Sequence, residues 1–242
     1  MIAYLTRRLE GNGRDRGITL VETLVTMVVF SVVMVAVMTT VLTSNRSVST
    51  VKQIDDANEE ARLALVRISR ELRQATAITG ATLFTTGTYA GTGYASAITF
   101  SVDFNGNGTI EPDAPDAEVL TYRFVPDATG NGQIQLEAND PSGTLVVRPI
   151  LAAHVSDFHM ELRSSQWACD TNGDGVTTWQ ELDTNTAAAC PHPDGNGTLD
   201  SSELSLIDQV YVNFSVFEGT HRQTYNAIVN LRNVGVSTYS GN

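Results

Sequence analysis

Apolar and polar positions divide the chain into three stretches with different patterns. In the first, residues 23–44 carry no charged side chain and are mostly apolar. At about 1.5 Å per residue, a helix of this length crosses the roughly 30 Å hydrocarbon layer of a membrane. A buried core helix is the alternative, but an uncharged run this long near the N-terminus favours a membrane span at 23–44.

The second stretch, residues 45–79, has the spacing of an amphipathic helix. Neither Gly nor Pro interrupts residues 18–79, so one continuous helix is predicted through both stretches. The apolar positions recur at steps of three and four: Ile54, Ala57, Ala61, Leu65, Ile68, Leu72 and Ala75. We expect this face to pack on the protein's own sheet; a coiled-coil partner is the alternative, although the repeat spans few heptads.

The third stretch, residues 80–242, alternates short β-type segments with turn residues. Segments rich in β-branched and aromatic residues are 97–104, 119–125, 133–138, 155–162, 209–219 and 223–233. Alternation places Phe158, Met160 and Leu162 on one face of their segment, and Gly219 marks a hairpin between the last two. A long N-terminal helix laid on an antiparallel sheet predicts an α+β fold.

Charge is distributed unevenly along the chain. The formal net charge is −12, yet four arginines precede residue 18: Arg7, Arg8, Arg14 and Arg16. Basic residues before a membrane span predict a cytoplasmic N-terminus and a translocated C-terminal part. The remainder contains 11 Lys and Arg residues against 25 Asp and Glu residues. That acidity argues against broad nucleic-acid binding, which needs clustered basic residues.

The junction between the basic leader and the apolar run has a specific order. In "RDRGITLVETLV", Gly17 ends the leader, apolar Ile18 follows, and Glu22 is the one charged residue at the start of the run. This order resembles the processing motif of type IV prepilins and type II secretion pseudopilins. The resemblance implies that a membrane peptidase cuts after Gly17 and methylates the new N-terminus at Ile18. It also implies that Glu22 pairs with the terminal amine of a neighbouring subunit during assembly.

The same resemblance carries expectations about domain organisation. It implies a cytoplasmic leader at 1–17, a transmembrane and filament-core helix at 18–44, its amphipathic continuation at 45–79 and a pilin-like β-rich head at 80–242. No proline precedes Pro112, which favours a minor subunit over a bulk one. The closing "VNLRN" resembles the ends of PilW-type minor pilins and GspJ-type pseudopilins.

Partners and location also follow from the resemblance. The implied partners are the prepilin peptidase, other minor and major pilins or pseudopilins, the inner-membrane assembly platform and membrane lipid. The implied location is the bacterial inner membrane, with a single pass and a periplasmic head, and afterwards a pilus or pseudopilus at the cell surface. A minor pilin is therefore the leading hypothesis, and a type II secretion pseudopilin is the alternative.

Within the head, an insertion at 164–205 contains acidic loops. The segment "DTNGDGVTTWQE" matches the twelve-residue calcium loop of EF-hands, in which about six to eight oxygen atoms surround the ion. The predicted ligands are Asp170, Asn172, Asp174, the Val176 carbonyl, Thr178 and Glu181. The preceding "MELRSSQWAC" has the pattern of a strand, so we expect an EF-like loop in a β-domain. An Asx-rich turn without metal is the alternative.

Two further segments repeat parts of this pattern. In "HPDGNGTLDSSE", the ligand positions are filled by Asp194, Asn196, Thr198, Asp200 and Glu203, but His192 stands first, where calcium needs an oxygen. In "DFNGNGTIEPDA", acidic or amide residues stand at Asp103, Asn105, Asn107 and Glu111. That segment ends on Ala114 instead of a bidentate glutamate, and a hairpin turn is predicted there. Structural calcium is therefore expected first in 170–181.

The two cysteines frame these loops. In a translocated head, Cys169 and Cys190 are expected to form a disulfide that closes a loop of roughly 20 residues and stabilises the fold by about 3 kcal/mol. Two buried thiols are the alternative. The sequence contains no nucleophile elbow, phosphate loop or zinc-protease helix, so no enzyme is predicted. A calcium-binding periplasmic domain on an uncleaved signal anchor is a further functional hypothesis.

Overall fold

The computed structural model describes residues 18–113, 117–188, 190–191, 194–219 and 221–232, with the backbone alone at 152–154. These residues divide into two compact units at the boundary between Lys52 and Gln53. The helices are α1 (Leu20–Arg73), α2 (Trp179–Thr184) and α3 (Ser201–Leu204). The strands are β1 (Ala77–Leu83), β2 (Ala95–Ser101), β3 (Val119–Pro126), β4 (Gly132–Asn139), β5 (Leu145–Ser164), β6 (Thr177–Thr178), β7 (Gln209–Glu218) and β8 (His221–Asn230).

The first unit contains the N-terminal part of α1, an apolar helix with solvent-exposed side chains. Over its most apolar 18 residues the mean hydropathy is 2.5, and none of that window is buried within the chain. Its hydroxyl side chains donate to carbonyls one turn back, as Ser31 Oγ does to Met27 O at 2.7 Å and Thr43 Oγ1 to Thr39 O at 2.8 Å. Because these polar groups are satisfied inside the helix, they do not oppose membrane insertion. Length and composition therefore fit a membrane span.

The helix ends earlier than its sequence predicts. We expected helix through residue 79, but α1 stops at Arg73, and Ala77–Leu83 forms β1. The last turn tightens through Gln74 N–H to Glu71 O at 3.1 Å, and the chain then pairs with β2. No glycine or proline marks this end. The β-branched residues of β1 instead gain an antiparallel partner, and that tertiary pairing outweighs helix propensity.

The second unit is built around one antiparallel sheet. Its strand order is β1-β2-β3-β4-β5-β7-β8, with the short β6 paired to β5. The predicted hairpin at Gly219 is confirmed, since β7 and β8 pair from Gln209 with Asn230 to Glu218 with His221. Strand β5 is longer than predicted, and its pairing with β7 is interrupted at Asp157, whose φ of 51° marks a bulge.

The core lies between this sheet and the part of α1 that follows Gln53. The predicted helix face is confirmed at Ala61, Ile68 and Leu72, which are buried. The helix and sheet residues that share the core cluster include Ala61, Ala64, Ile68, Leu72, Ile98, Phe100, Tyr122, Ile134, Leu151, Phe158, Met160, Leu162 and Phe214. The described part of the chain thus has the α+β, pilin-like arrangement of a long N-terminal helix and an antiparallel head.

One polar contact inside this core joins α1 to the middle of the sheet. The hydroxyl of Tyr122 on β3 donates to Glu71 Oε2 at 2.5 Å, and Arg67 Nε donates to Glu71 Oε1 at 2.9 Å. Tyr122 is fully buried. Its burial and the adjacent Glu71 carboxylate raise the pKa of Tyr122 well above the ordinary value, so it remains a donor.

We predict that Tyr122→Phe lowers the free energy of unfolding by about 1–3 kcal/mol, because it leaves a buried carboxylate without this donor. The measurement is denaturant unfolding of the full-length protein in detergent. Tyr225→Phe is the matched control, since its hydroxyl joins β8 to Asn58 of α1 at a partly exposed site. The control is expected to cost less than about 1 kcal/mol. Equal losses for the two variants would contradict the role given to Glu71.

Candidate functional site

The predicted processing site lies where α1 begins. Gly17 lies outside the described residues, whereas Ile18 and Thr19 directly precede the helix. Thr19 Oγ1 accepts the backbone N–H of Glu22 at 3.2 Å, so Thr19 caps α1 and Glu22 stands in its first turn. Across the described parts of this single chain, the exposed carboxylate of Glu22 forms no ion pair.

The first acidic loop, residues 170–181, follows a strand, as the sequence predicted. Asp170 Oδ1 accepts the N–H of Gly173 at 2.6 Å, and its Oδ2 accepts the N–H of Gly175 at 2.7 Å. These donors lower the pKa of the Asp170 carboxyl, with Gly175 contributing most. The loop leads into α2, where the indole of Trp179 donates to Gly93 O at 2.9 Å. That contact fixes the exit from the loop against the connection between β1 and β2.

The other predicted ligands of this loop take local hydrogen bonds. The exposed Asn172 and Asp174 accept backbone N–H groups two residues ahead, the second of them from Val176 at 2.8 Å. Glu181 Oε2 accepts the N–H of Thr178 at 3.0 Å, and Oε1 accepts the N–H of Thr171 at 2.9 Å. Burial opposes ionisation of Glu181, but these donors lower its pKa overall.

Three carboxylates converge at the second acidic loop. Oxygen atoms of Asp183, Asp194 and Glu203 lie within 4.8 Å of one another. Asp183 and Glu203 are fully buried and Asp194 is exposed. Among the residues that the structure describes, no other three acidic, histidine or cysteine side chains converge this closely. The first loop matches the calcium-loop sequence better, but its described carboxylates do not converge in this way.

Asp183 accepts the backbone hydrogen bonds that the first residue of the second loop would accept if it matched Asp170. Its Oδ1 accepts the N–H of Gly195 at 2.7 Å, and its Oδ2 accepts the N–H of Gly197 at 2.7 Å. Asp170 accepts from the equivalent fourth and sixth positions of the first loop. His192, which fills the first position in sequence, lies outside the described residues. Asp183 therefore supplies from α2 the carboxylate that the loop itself lacks.

Sequence reasoning missed Asp183 because a twelve-residue window cannot include it. The residue stands nine positions before His192, on the far side of Cys190. One signal in the sequence could have indicated Asp183. It is an acidic residue in the short segment between the two acidic loops, and that segment contains no lysine or arginine. Only the fold shows that α2 carries this carboxylate to the glycines of the second loop.

The remaining predicted ligands of the second loop form hydrogen bonds within the loop and at its exit. Asp200 caps α3 and accepts the N–H of Ser202 at 2.8 Å, while Glu203 Oε2 accepts the N–H of Asp200 at 2.8 Å. Desolvation raises the pKa of the buried Glu203 and, together with the neighbouring Asp200 carboxylate, that of the exposed Asp194, whereas the Ser202 hydroxyl lowers the pKa of Asp200. Asn196 Oδ1 accepts the N–H of Thr198 at 2.6 Å. The pKa values of the acids in this loop are thus shifted in different directions.

The third segment connects β2 to β3, as a hairpin turn should. Asp103 accepts the N–H of Gly106 at 2.6 Å and of Gly108 at 2.9 Å, which repeats the pattern of Asp170. Ala114 lies outside the described residues. The buried Glu118, four residues later, accepts N–H groups from Phe104 and Glu111, each at 3.0 Å.

The acid within this third segment is satisfied by amide groups. The side-chain amides of Asn107 and Asn105 donate to Glu111 at 2.8 and 3.1 Å and, with Asn107 contributing most, lower its pKa. Both carboxylate oxygens of Glu111 therefore have protein donors. Hydrogen bonds within the segment therefore stabilise the described part of this connection.

The predicted disulfide is confirmed. Cys169 and Cys190 are bonded with Cα atoms 5.7 Å apart. Cys169 directly precedes the first loop, and Cys190 lies between Asp183 and the second loop. Asn185 Nδ2 also donates to Cys169 O at 3.0 Å. The bridge therefore restrains α2, which carries Asp183, relative to the second loop.

Comparison with protein families identifies one matching motif. Residues 12–38 match the prokaryotic N-terminal methylation motif. Searches of curated proteins and of solved structures found no match to the chain. The match includes the leader end, the junction at Gly17 and Ile18, and most of the apolar run. It implies processing by prepilin peptidase and assembly with other pilins, and it supports a type IV pilin or pseudopilin in general.

Proposed function

We propose that this protein is a minor type IV pilin of the PilW type that takes part in the initiation or the tip of a pilus. The observation that carries the proposal is the N-terminal methylation motif, which runs directly into an exposed apolar helix. Before assembly, the protein is anchored in the inner membrane with its head in the periplasm. During assembly, the protein enters the filament at the cell surface. A type II secretion minor pseudopilin is the alternative, because it has the same processing and anchoring.

Glu22 has a physical role in this proposal. Cleavage after Gly17 gives Ile18 a cationic α-amine, four residues before an acid that forms no ion pair in the described chain. A lone carboxylate in an apolar environment is costly, whereas pairing it with an amine offsets part of that cost. Pairing between neighbouring subunits would then fix how far one helix is displaced along the next.

We also propose that calcium stabilises the head. The second loop offers the convergent oxygens of Asp183, Asp194 and Glu203, and carboxylate oxygens are the ligands that calcium prefers. Asn196, Thr198 and Asp200 belong to the same loop and offer further oxygens. The first loop supplies the complete EF-type sequence from Asp170 to Glu181.

The chemical benefit of calcium is neutralisation of these acids. Three carboxylates close together repel one another, and two of those at the second loop are buried. A divalent cation would remove that repulsion and would join α2, the second loop and α3 through one set of ligands. In the first loop, binding would require Glu181 to exchange its threonine donors for the ion.

Processing gives the first test of the pilin proposal. We expect the mature protein from its native membrane to begin at N-methylated Ile18, because the peptidase cuts after Gly17. Mass spectrometry of the N-terminal peptide measures this directly. An intact Met1 in the membrane-bound protein would contradict both the pilin and the pseudopilin, and would favour a calcium-binding periplasmic domain on an uncleaved anchor.

Assembly gives the second test. Glu22→Ala should leave membrane insertion intact and reduce the amount of the protein in sheared filaments by about tenfold or more, as expected when a buried charge loses its partner. Thr23→Val is the matched control, since it removes a polar group from the same turn without changing charge. Immunoblots of membrane and filament fractions give both amounts. Normal incorporation of the Glu22→Ala protein would refute the pairing.

Calcium binding gives the third test. We expect two calcium ions per chain by isothermal titration, and one after Asp183→Asn. At about a hundred times its dissociation constant, one ion adds about 2.7 kcal/mol to the free energy of unfolding, so chelation should lower the melting temperature.

Asp140→Asn is the matched control for calcium binding, because Asp140 closes an exposed turn between β4 and β5 with similar N–H contacts. It should retain both ions. Equal melting of the wild-type protein with and without chelator would exclude a structural role for calcium. Two ions bound to Asp183→Asn would exclude Asp183 as a ligand.

A further inference from the structure

Aromatic side chains cluster on the outer face of the sheet, which we define as the face opposite the core. On β5, His159 alternates with the buried Phe158 and Met160 and therefore lies on this outer face. Its ring stacks on that of Tyr94 with centroids 4.5 Å apart, and the Tyr89 ring lies 4.7 Å from it. All three rings are partly exposed. The outer face thus presents aromatic surface to solvent.

Strands β7 and β8 continue the outer face with one more aromatic ring and with amide side chains. The ring of Tyr211 lies 6.1 Å from that of His159, and the register pairs Tyr211 with Ile228. Two residues further along, Asn213 pairs with Asn226, so these amides lie on the same face. Asn226 and Ile228 are exposed, and within the described chain the Asn226 amide has no hydrogen-bond partner. That amide can therefore bind a ligand from solvent.

The charges that the strands place on the outer face are paired with one another. Arg163 Nε donates to Glu161 Oε2 at 2.9 Å, and Arg222 forms an ion pair with Asp157. Desolvation lowers the pKa of His159, so its ring is uncharged at neutral pH. The outer face is therefore close to neutral, although the net charge of the protein is −12.

We propose that the outer face binds a neutral polysaccharide chain. Sugar rings have apolar C–H surfaces that pack on aromatic rings, and each of their hydroxyl groups both donates and accepts hydrogen bonds. Tyr94, His159 and Tyr211 supply the aromatic surface. The Asn226 amide supplies a donor and an acceptor together, as a sugar hydroxyl requires. This binding activity goes beyond the assembly function proposed above and does not depend on it.

The charge and the width of the outer face select this ligand class. A nucleic acid or an acidic polysaccharide needs unpaired cations, but Arg163 and Arg222 are both paired. Strands β2, β5, β7 and β8 are successive neighbours, so at about 4.8 Å per spacing the face is about 14 Å wide and suits several linked sugar rings. A stable protein partner needs about 800 Å² with an apolar centre. Along the described strands β7 and β8, however, Ile228 is the one large apolar side chain that is exposed.

Isothermal titration of the full-length protein tests the proposal. The protein is held in a detergent without a sugar headgroup, so that the detergent does not compete for the outer face. The probes are cellohexaose and chitohexaose, two neutral oligosaccharides with flat ring surfaces, and at least one of them should bind. Hexagalacturonate, an acidic oligosaccharide, should bind at least about tenfold more weakly, because its carboxylates would approach a protein of net charge −12.

Substitution of Tyr211 tests the aromatic contact. Tyr211→Ala should weaken binding of the neutral probe by at least about fivefold, the loss typical of truncating an aromatic contact residue. Tyr211→Phe keeps the ring and should retain the affinity to within about threefold. Near-UV circular dichroism of each variant, compared with the wild-type protein, shows whether the head keeps its fold.

Substitution of Asn226 tests the amide contact without disturbing the core. Asn226 is exposed, so Asn226→Ala keeps the proposal testable even if Tyr211→Ala does not fold. It should weaken binding about twofold to tenfold, the range for one lost hydrogen bond. Gln223→Ala is the matched control, because Gln223 is an exposed amide of the same strand whose side chain lies on the opposite face. The control should leave the affinity unchanged.

Several results would overturn the proposal. They are no binding of either neutral probe, equal or tighter binding of hexagalacturonate, and an affinity that Asn226→Ala and a folded Tyr211→Ala both leave unchanged. Dimers in sedimentation experiments that Tyr211→Ala abolishes, without sugar binding, would identify a second copy of the chain as the occupant instead. Failure of the pilin proposal is distinguishable, since a chain that keeps Met1 and binds a neutral probe would refute the pilin and retain this site.

Discussion

Packing of the second half of α1 on the antiparallel sheet is the interaction on which the rest of the described head depends. Small residues at Ala61 and Ala64 bring the helix close to the strands, and Ile68 and Leu72 fill the space between them. Because a helix has only one face to bury, this packing also determines which face remains exposed. Asp55, Arg62 and Arg73 lie on that exposed face, and the charge of this surface is therefore a consequence of how the core packs.

The same packing explains why a buried acid is tolerated. Glu71 lies on the core side of α1, where an isolated carboxylate would be costly. It is stabilised by the Tyr122 hydroxyl from the sheet and by Arg67 one turn earlier on the helix. The contact has a direction and a fixed length, unlike apolar packing, and it specifies how α1 is rotated against β3.

The acidic loops show which features of a site a linear motif predicts and which depend on the fold. The sequence predicted a calcium loop that begins at Asp170 and a hairpin turn that begins at Asp103, and in the structure both carboxylates accept glycine N–H groups. The sequence ranked the first loop above the second because Asp170 is present and the equivalent position is His192. The structure brings Asp183 to the second loop, and there three carboxylates converge. That convergence depends on a contact between separate elements, which no window along the chain contains.

The sequence by itself determined the features that depend on local order: the N-terminal methylation motif, the apolar run, the helix face from Ala61 to Leu72 and the cysteine pair. These follow from periodicity, charge order and composition, which act over a few neighbouring residues. Only the tertiary structure decided that α1 ends at Arg73 and that Asp183 and Glu118 accept hydrogen bonds from the second and third loops. Each of those results arises because strands and helices distant in sequence satisfy one another's hydrogen bonds and buried surface.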